Sequence, residues 1–399
     1  MTRLIIFLSG ILFALTLGDA TASTVTGQKG DAKSNSTDAA SNRLVVKASS
    51  IVVSPGKIIP RGVMVIENGK ITAIGTDLGI PKSSILKDYG KATIAAGFVD
   101  ALSDAGILED ATDSTTAFTP AVRAADAIRL RDWSIARAAR NGVTTIGTNL
   151  HGVNVVCGIG AIAKTDGSEG VIKPEAFLKL CLTGNSIQPN RYPTSVGSAI
   201  GRLSSMLTES KAPWLSLSPR EQLAWDRLQK DLRPWIEVDN VSTLRRVLRL
   251  SSEHKFKPVI VAQGDISDAA SELVSANIPV VLAELSFQSP PIQRRQVTIL
   301  AKAGVEFAFA SVDSARKNPS NGLRISSSIA ASLGVAMDTA LRAISVIPAK
   351  LLGIEARVGT LEVGKDADFV VMSGDILDLS STHLATFVNG TIVKNPEAR

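Results

Sequence analysis

Apolar residues follow two rhythms along this chain, and the change between them marks its organisation. From Arg43 to Lys91 they come in short blocks broken by turn residues. Leu44–Val46, Ile51–Val53, Val63–Ile66 and Ile71–Ile74 predict strands, with a turn at Ser54-Pro55-Gly56. Asn68-Gly69 between two such blocks predicts a tight hairpin, because that turn needs positive φ. The same character returns after Gly353. There Asp368–Met372 predicts a strand, and Leu384–Val388 with Thr391–Lys394 a hairpin over Asn389-Gly390.

Between these ends, short apolar runs alternate with helical periods. Predicted strands are Ile94–Val99, Gly142–Gly147, Phe177–Leu182, Trp235–Val238, Val259–Ala262, Val280–Leu282 and Val305–Ala310. Predicted helices are Thr119–Asn141 (Thr119 as cap), Pro219–Leu232, Val241–Glu253, Ser267–Ala276, Ile292–Ala303, Leu323–Leu333 and Met337–Val346. An eighth strand falls in Val153–Lys164 or within Gly184–Leu217, which otherwise reads as long loops. Strand–helix alternation argues for a parallel sheet. Both chain ends are β and the middle is α/β. The expected fold is a TIM-type (β/α)8 barrel, residues 95–355, inserted into a small β-sandwich domain built from residues 43–94 and 356–399. An open doubly wound sheet fits the alternation as well.

Composition adjusts this picture at the N-terminus. Arg3, the apolar Leu4–Leu17 and Ala20-Thr21-Ala22 have the form of a secretory signal peptide, residues 1–22, which is too short in its apolar part to span a bilayer comfortably. The expectation is an exported chain, periplasmic or extracellular, with no membrane attachment after cleavage. Residues 23–42 are small and polar and predict a disordered linker. The net charge is +6 over 399 residues, with no basic block, so nucleic acid is not an expected partner. Aromatic residues are only 4% of the chain, which leaves an aliphatic core. Cys157 and Cys181 lie in no metal-ligand spacing; export makes a disulfide possible, and two small buried apolar residues are an equal reading.

Several motifs, in order, resemble those of the metal-dependent amidohydrolases, in particular the imidazolonepropionase- and dipeptidase-like branch. Asn68–Gly75 resembles the family's N-terminal hairpin, Gly97-Phe98-Val99-Asp100 its first barrel strand, Asn141–Thr145 its second, and Gly158–Gly167 the glycine-rich segment that follows. Pro348–Ile354, leading to Val358-Gly359-Thr360-Leu361-Glu362-Val363-Gly364-Lys365-Asp366-Ala367-Asp368, is the strongest match. The resemblance implies a divalent metal held by histidines, with an aspartate on the last strand handling the proton.

The ligand positions depart from that pattern. The paired histidines of the first strand are Leu102 and Asp104, the middle-strand histidine aligns with Glu237, and the next falls near Gln263. Asp313 fits the catalytic aspartate only with a one-residue shift, and no lysine is assigned to a carbamylated bridge. The chain's three histidines, His151, His254 and His383, fall on none of these positions. Leucine has no lone pair with which to bind a metal ion. The expectation is therefore a non-catalytic relative without a cofactor, which binds a small ligand near Asp100, Asp104, His151, Glu237 and Asp239, or partners itself or an active relative. The alternative is a C–N hydrolase of cyclic-amide or dipeptide type with an atypical site. It would use zinc or another divalent metal, or no metal, with Asp313 and Glu237 as weak catalytic candidates.

Overall fold

The computed structural model describes residues 43–108, 111–167, 169–208, 219–228, 230–312 and 322–393. The signal peptide and linker expected at residues 1–42, and Asp313, lie outside the described residues.

The β domain is one mixed eight-stranded sheet with the order β16-β15-β14-β5-β1-β2-β3, and β4 pairs with β1 off that path. Its N-terminal strands are β1 (Arg43–Ser54), β2 (Lys57–Glu67), β3 (Lys70–Thr76), β4 (Ile85–Asp88) and β5 (Thr93–Ala96). Its C-terminal strands are β14 (Phe369–Met372), β15 (His383–Val388) and β16 (Thr391–Ile392). The predicted blocks at Leu44 and Ile51 are one continuous strand. Both Asn-Gly hairpins form, with Asn68, Gly69, Asn389 and Gly390 all at positive φ. β5 pairs with β14 and β1, so the chain leaves this sheet only at Gly97. Val46, Ile51, Met64, Ile94, Phe369 and Phe387 form the centre of the domain's core.

The second sheet also has eight strands: β6 (Phe98–Ser103), β7 (Val143–Thr148), β8 (Val156–Lys164), β9 (Val171–Leu182), β10 (Arg233–Val238), β11 (Val259–Ala262), β12 (Val280–Ala283) and β13 (Phe307–Ala310). The missing eighth strand is thus the Val153–Lys164 candidate. It runs antiparallel to both neighbours, while the other adjacent pairs are parallel. Antiparallel neighbours need no crossover helix, so β7, β8 and β9 follow one another through loops alone. The seam between β6 and β13 is closed by Val312 N–H donating to Leu102 O (2.8 Å) and Asp104 N–H donating to Val312 O (3.1 Å). That contact excludes an open doubly wound sheet.

The helices are α1 (Ala124–Ala127), α2 (Trp133–Arg140), α3 (Val196–Thr208), α4 (Pro219–Leu228), α5 (Val241–Glu253), α6 (Ala270–Ala276), α7 (Pro291–Ala303), α8 (Leu323–Ser332), α9 (Met337–Arg342) and α10 (Val346–Leu352). Two expectations need correction. Thr119–Asn141 is not one helix. Thr119 donates its hydroxyl to Val156 O (2.8 Å), the segment from Ala117 to Arg123 lies along β8, and α2 is capped by Asp132, which accepts from Ser134 N–H at 2.9 Å. Within Gly184–Leu217, read as loops, α3 forms and buries Ala199, Leu203 and Met206.

The strand parity of the barrel is clear from burial. Leu178, Leu180, Ile236, Ile260 and Val280 face outward beneath the helices. Phe177, Trp235, Val259, Val261, Val281, Ala308 and Ala310 fill the interior. Phe177 stacks on Trp235 with ring centroids 4.6 Å apart and forms a floor there.

Candidate functional site

In a barrel of this kind the chemistry sits at the C-terminal ends of the parallel strands. On β9 and β10 the interior parity that places Phe177 and Trp235 on the floor puts Lys179 and Glu237 one layer higher. Both are essentially fully buried, with Glu237 2% and Lys179 1% exposed. Lys179 Nζ lies 2.8 Å from Glu237 Oε1, and it donates to Asn149 Oδ1 and, at 3.0 Å, to Leu150 O. Asn149 and Leu150 follow β7, so three successive parts of the wall converge on one ammonium group. The loop from His151 to Asn154 closes over this centre. A Cβ at Gly152 would meet Glu237 Oε2 and lie 3.4 Å from Cys181 Sγ, so a larger residue there would have to push the Glu237 carboxylate aside.

Lys179 was missed in the sequence. Its signal is a charge inside the apolar run Phe177–Leu182, at the parity of Phe177 and Cys181. A lysine there faces the interior and needs a buried counter-ion.

Asp100 is at the seam, not in a shared pocket. Its carboxylate accepts from Ser311 N–H (3.0 Å), Ser311 Oγ (2.6 Å) and Leu102 N–H (3.3 Å), which ties β6 to the end of β13. Burial raises its pKa from 3.8 to about 6, against the pull of those hydrogen bonds. Ser103 Oγ is 2.9 Å from Ser311 Oγ. Asp104 is buried beside this seam. Val312 has φ of 48°, a conformation a β-branched residue rarely adopts, held by its two backbone bonds to β6.

The remaining candidates separate. Leu102 is 0% exposed and packs with the interior apolar cluster. Gln263 is exposed and lines a cavity of about 260 Å³ with Asp265, Gln293 and Gln296. Asp239 is half-buried and accepts from the Asn240 side chain at 2.6 Å. His151 lines a separate cavity of about 560 Å³ with Thr112, Thr115, Gln188 and Arg191. The five residues expected to share one ligand pocket therefore do not: Glu237 lies beneath the mouth loop, Asp100 and Asp104 lie at the seam, His151 lines the 560 Å³ cavity and Asp239 stands at the rim. Of the other histidines, His254 caps α5 and sits 3.5 Å from Ser204 Oγ. His383 begins β15 and is not in the loop before it; burial lowers its pKa. Cys157 and Cys181 are free thiols, both buried, and burial raises the pKa of Cys181 well above its usual value.

A second buried ionic centre lies at the other end of β8. Lys164, 0% exposed, is 2.9 Å from Asp366 Oδ2 and 2.7 Å from Asp368 Oδ2. Asp366 also pairs with Lys70 and with Arg357 (2.8 Å), and Asn389 N–H donates to Asp368 at 2.9 Å. Asp366, within the Val358–Asp368 motif, is thus an anchor between the β domain and the barrel.

The fold and these geometries define a closed eight-stranded α/β barrel joined to a β domain. Residues 271–395 match the sequence profile of the amidohydrolase family. The chain is similar in structure to an amidohydrolase from Thermotoga maritima MSB8, with a TM-score of 0.78 and 23% identity over 88% of this chain and 99% of that one. It is also similar to a prolidase solved with N-methylphosphonate-L-proline, with a TM-score of 0.57 and 16% identity over 88% and 99% of the two chains. Among curated proteins it matches N-acetylglucosamine-6-phosphate deacetylase of Homo sapiens, 44% identical over 66 residues, 16% of this chain and 15% of that one. The Bos taurus protein of the same name is 46% identical over 61 residues, 15% of this chain. The chain spans 13% of the length of that relative. The resemblance to the amidohydrolases holds by sequence over residues 271–395 and by fold over 88% of the chain.

The family implies a divalent metal, and the described donors do not fit one. Leu102 offers no donor, Glu237 is committed to Lys179, and Asp100 to Ser311. Among the described residues no three His, Cys, Asp or Glu side chains converge to hold an ion. An ammonium group at the centre of the mouth also opposes a second cation there.

Proposed function

We propose that this is a non-hydrolytic amidohydrolase relative that binds a small polar ligand in the cavity beside the barrel mouth. The observation that carries it is the Lys179–Glu237 pair. It places a buried ion pair of no net charge at the centre of the mouth, where metal-assisted hydrolysis requires free donors and an open coordination position. The adjoining cavity has hydroxyl and amide groups from Thr112, Ser114, Thr115, Gln188 and Asn190, suited to a hydroxylated or amide-bearing molecule. Export before function, with the mature chain starting at Ser23, and association with itself or an active relative belong to the same proposal. Metal analysis of the mature protein with a panel of dipeptide and cyclic-amide substrates tests it. Absence of stoichiometric metal and of turnover is expected; zinc at one per chain with chelator-sensitive hydrolysis overturns it.

A second reading has one observation in its favour. Lys179 is a lysine at the barrel mouth, the position type a carbamylated bridge requires, and the fold is shared with solved hydrolases. On that reading the protein hydrolyses C–N bonds. An intact-mass increase of one carbon dioxide, lost on acidification, would favour this reading over the first.

A further inference from the structure

At the opposite end of the barrel, a cavity of about 620 Å³ opens between the start of β10 and the turn leading into β11. Its wall carries Lys230, Arg233, Lys255 and Lys257, with His254 beside them. None of these four cations has a carboxylate within ion-pair distance among the described residues. The one acid of the lining, Asp231, is taken by Arg227 at 2.8 Å. Arg233 is the informative member. Its guanidinium is half-buried and donates only to backbone, to Lys257 O at 3.1 Å and Pro258 O at 3.3 Å, and burial lowers its pKa. Glu306 attracts Arg233 and Asp231 attracts Lys230 only at longer range, so positive charge in this concave, partly desolvated place is poorly compensated, and a bound anion would complete the compensation. The floor is apolar, made by Leu207, Leu232 and the half-buried Phe256.

We propose that this cavity is a second binding site, distinct from the mouth, for a small multivalent anion carrying an apolar or planar group, such as an organic phosphate. The volume falls in the range of small-molecule sites, about 300–1,000 Å³. The charge of the wall fits a dianion, and the apolar floor fits an attached ring. Arg233 supplies a fixed fork for two phosphate oxygens, while the exposed lysines act as point charges. Net charge alone gives no such site: the chain's excess of +6 is spread along its length, and the fold brings four cations to one hollow.

The test uses adenosine monophosphate and inorganic phosphate as probes, titrated calorimetrically into the full mature chain at low ionic strength. Adenosine monophosphate is expected to bind at one per chain, more tightly than inorganic phosphate and more weakly as salt is added. The variant Lys255→Glu/Lys257→Glu changes two exposed side chains without a described partner and is expected to reduce affinity at least tenfold with an unchanged circular dichroism spectrum. His151→Ala, at the mouth cavity, is expected to leave affinity unchanged. No heat from either probe at millimolar concentration overturns the proposal. So does binding abolished by His151→Ala and indifferent to the lysine changes, which would move the anion to the mouth. Because the readout is binding at the far face, its failure leaves the non-hydrolytic reading of the mouth standing.

Discussion

Lys179 and Glu237 set the energetics of the mouth at the level of single residues. A buried pair contributes little net stability, but breaking it leaves one charge stranded. Lys179→Met is expected to destabilise the protein by about 3–5 kcal/mol, and Lys179→Met/Glu237→Leu to recover most of that loss, measured by urea denaturation. If the double variant is no more stable than the single one, the two side chains are not a unit. Asp100 makes a different prediction. Its pKa is about 6 in the fold and 3.8 unperturbed, so between those values the native state binds the extra proton. Its contribution is nil below pH 3.8, becomes a destabilisation as pH rises from there through about 6, and levels off above that at about 3 kcal/mol. Asp100→Asn is expected to gain stability relative to wild type as pH rises from 4 to 7. A wild-type-minus-variant difference that is flat over that range would show that the seam hydrogen bonds, and not burial, govern this group.

The same residues show why part of the site was readable in the sequence and part was not. Leu102 and Glu237 could be placed because the resemblance to the amidohydrolases aligns them with that family's ligand positions. Lys179 was obscured because a lysine in an apolar run gives no local sign of the counter-ion it will meet across a strand pair. Asp100 was read toward the pocket because the partner that captures it, Ser311, is over two hundred positions away along the chain.

At the scale of elements, the sequence pattern was strongest where one strand or helix repeats its period without interruption. α5 and β11 begin and end at the expected residues. It failed where tertiary contact overrides local period. Ala121 to Ile135 carries apolar residues at helical spacing, yet its start continues the segment along β8, where Val122 O accepts from Ile159 N–H in place of a helical bond. Strand direction was also invisible, because a buried antiparallel strand is as continuously apolar as a parallel one. Backbone approaches backbone closely at one place between the strand-end loops. A Cβ at Gly264 would collide with the Asp239 carbonyl, joining the exits of β10 and β11. Backbone cannot turn aside as a flexible side chain can. Gly264→Ala is therefore expected to cost about 1–3 kcal/mol by the overpacking rule. A thermal scan with an unchanged midpoint would show that these loops have room the geometry does not indicate.

Over the whole molecule, two crossings join the β domain to the barrel, at Gly97 and between Gly353 and Asp368, and both converge on Lys164. Gly97 N–H donates to Asp368 O at 2.9 Å, Ala367 N–H to Gly69 O at 2.8 Å and Leu361 N–H to Val53 O at 2.7 Å. The motif from Val358 to Asp368, the strongest family mark in the sequence, thus laces the two sheets together and presents Asp366 and Asp368 to one ammonium from the barrel wall. The two carboxyls respond in opposite directions: burial raises the pKa of Asp368, while the combined pull of Lys164, Lys70 and Arg357 lowers that of Asp366. Removing Lys164 leaves Asp366 with two cations and Asp368 with backbone and hydroxyl donors alone. Lys164→Met is accordingly expected to lose about 3–5 kcal/mol at neutral pH. The loss should shrink as pH falls, because burial favours the protonated Asp368 carboxyl and protonation removes the stranded charge from the native state. Guanidinium denaturation at pH 5 and pH 8, followed by tryptophan fluorescence for the barrel and far-ultraviolet circular dichroism for the whole chain, reads both effects. The two probes are expected to coincide in the wild type. If Lys164 is the joint between the sheets, they separate in the variant, and more so at pH 8. Coincident transitions in the variant at both pH values, with a small and equal loss, would mean that the backbone lacing alone unites the two sheets.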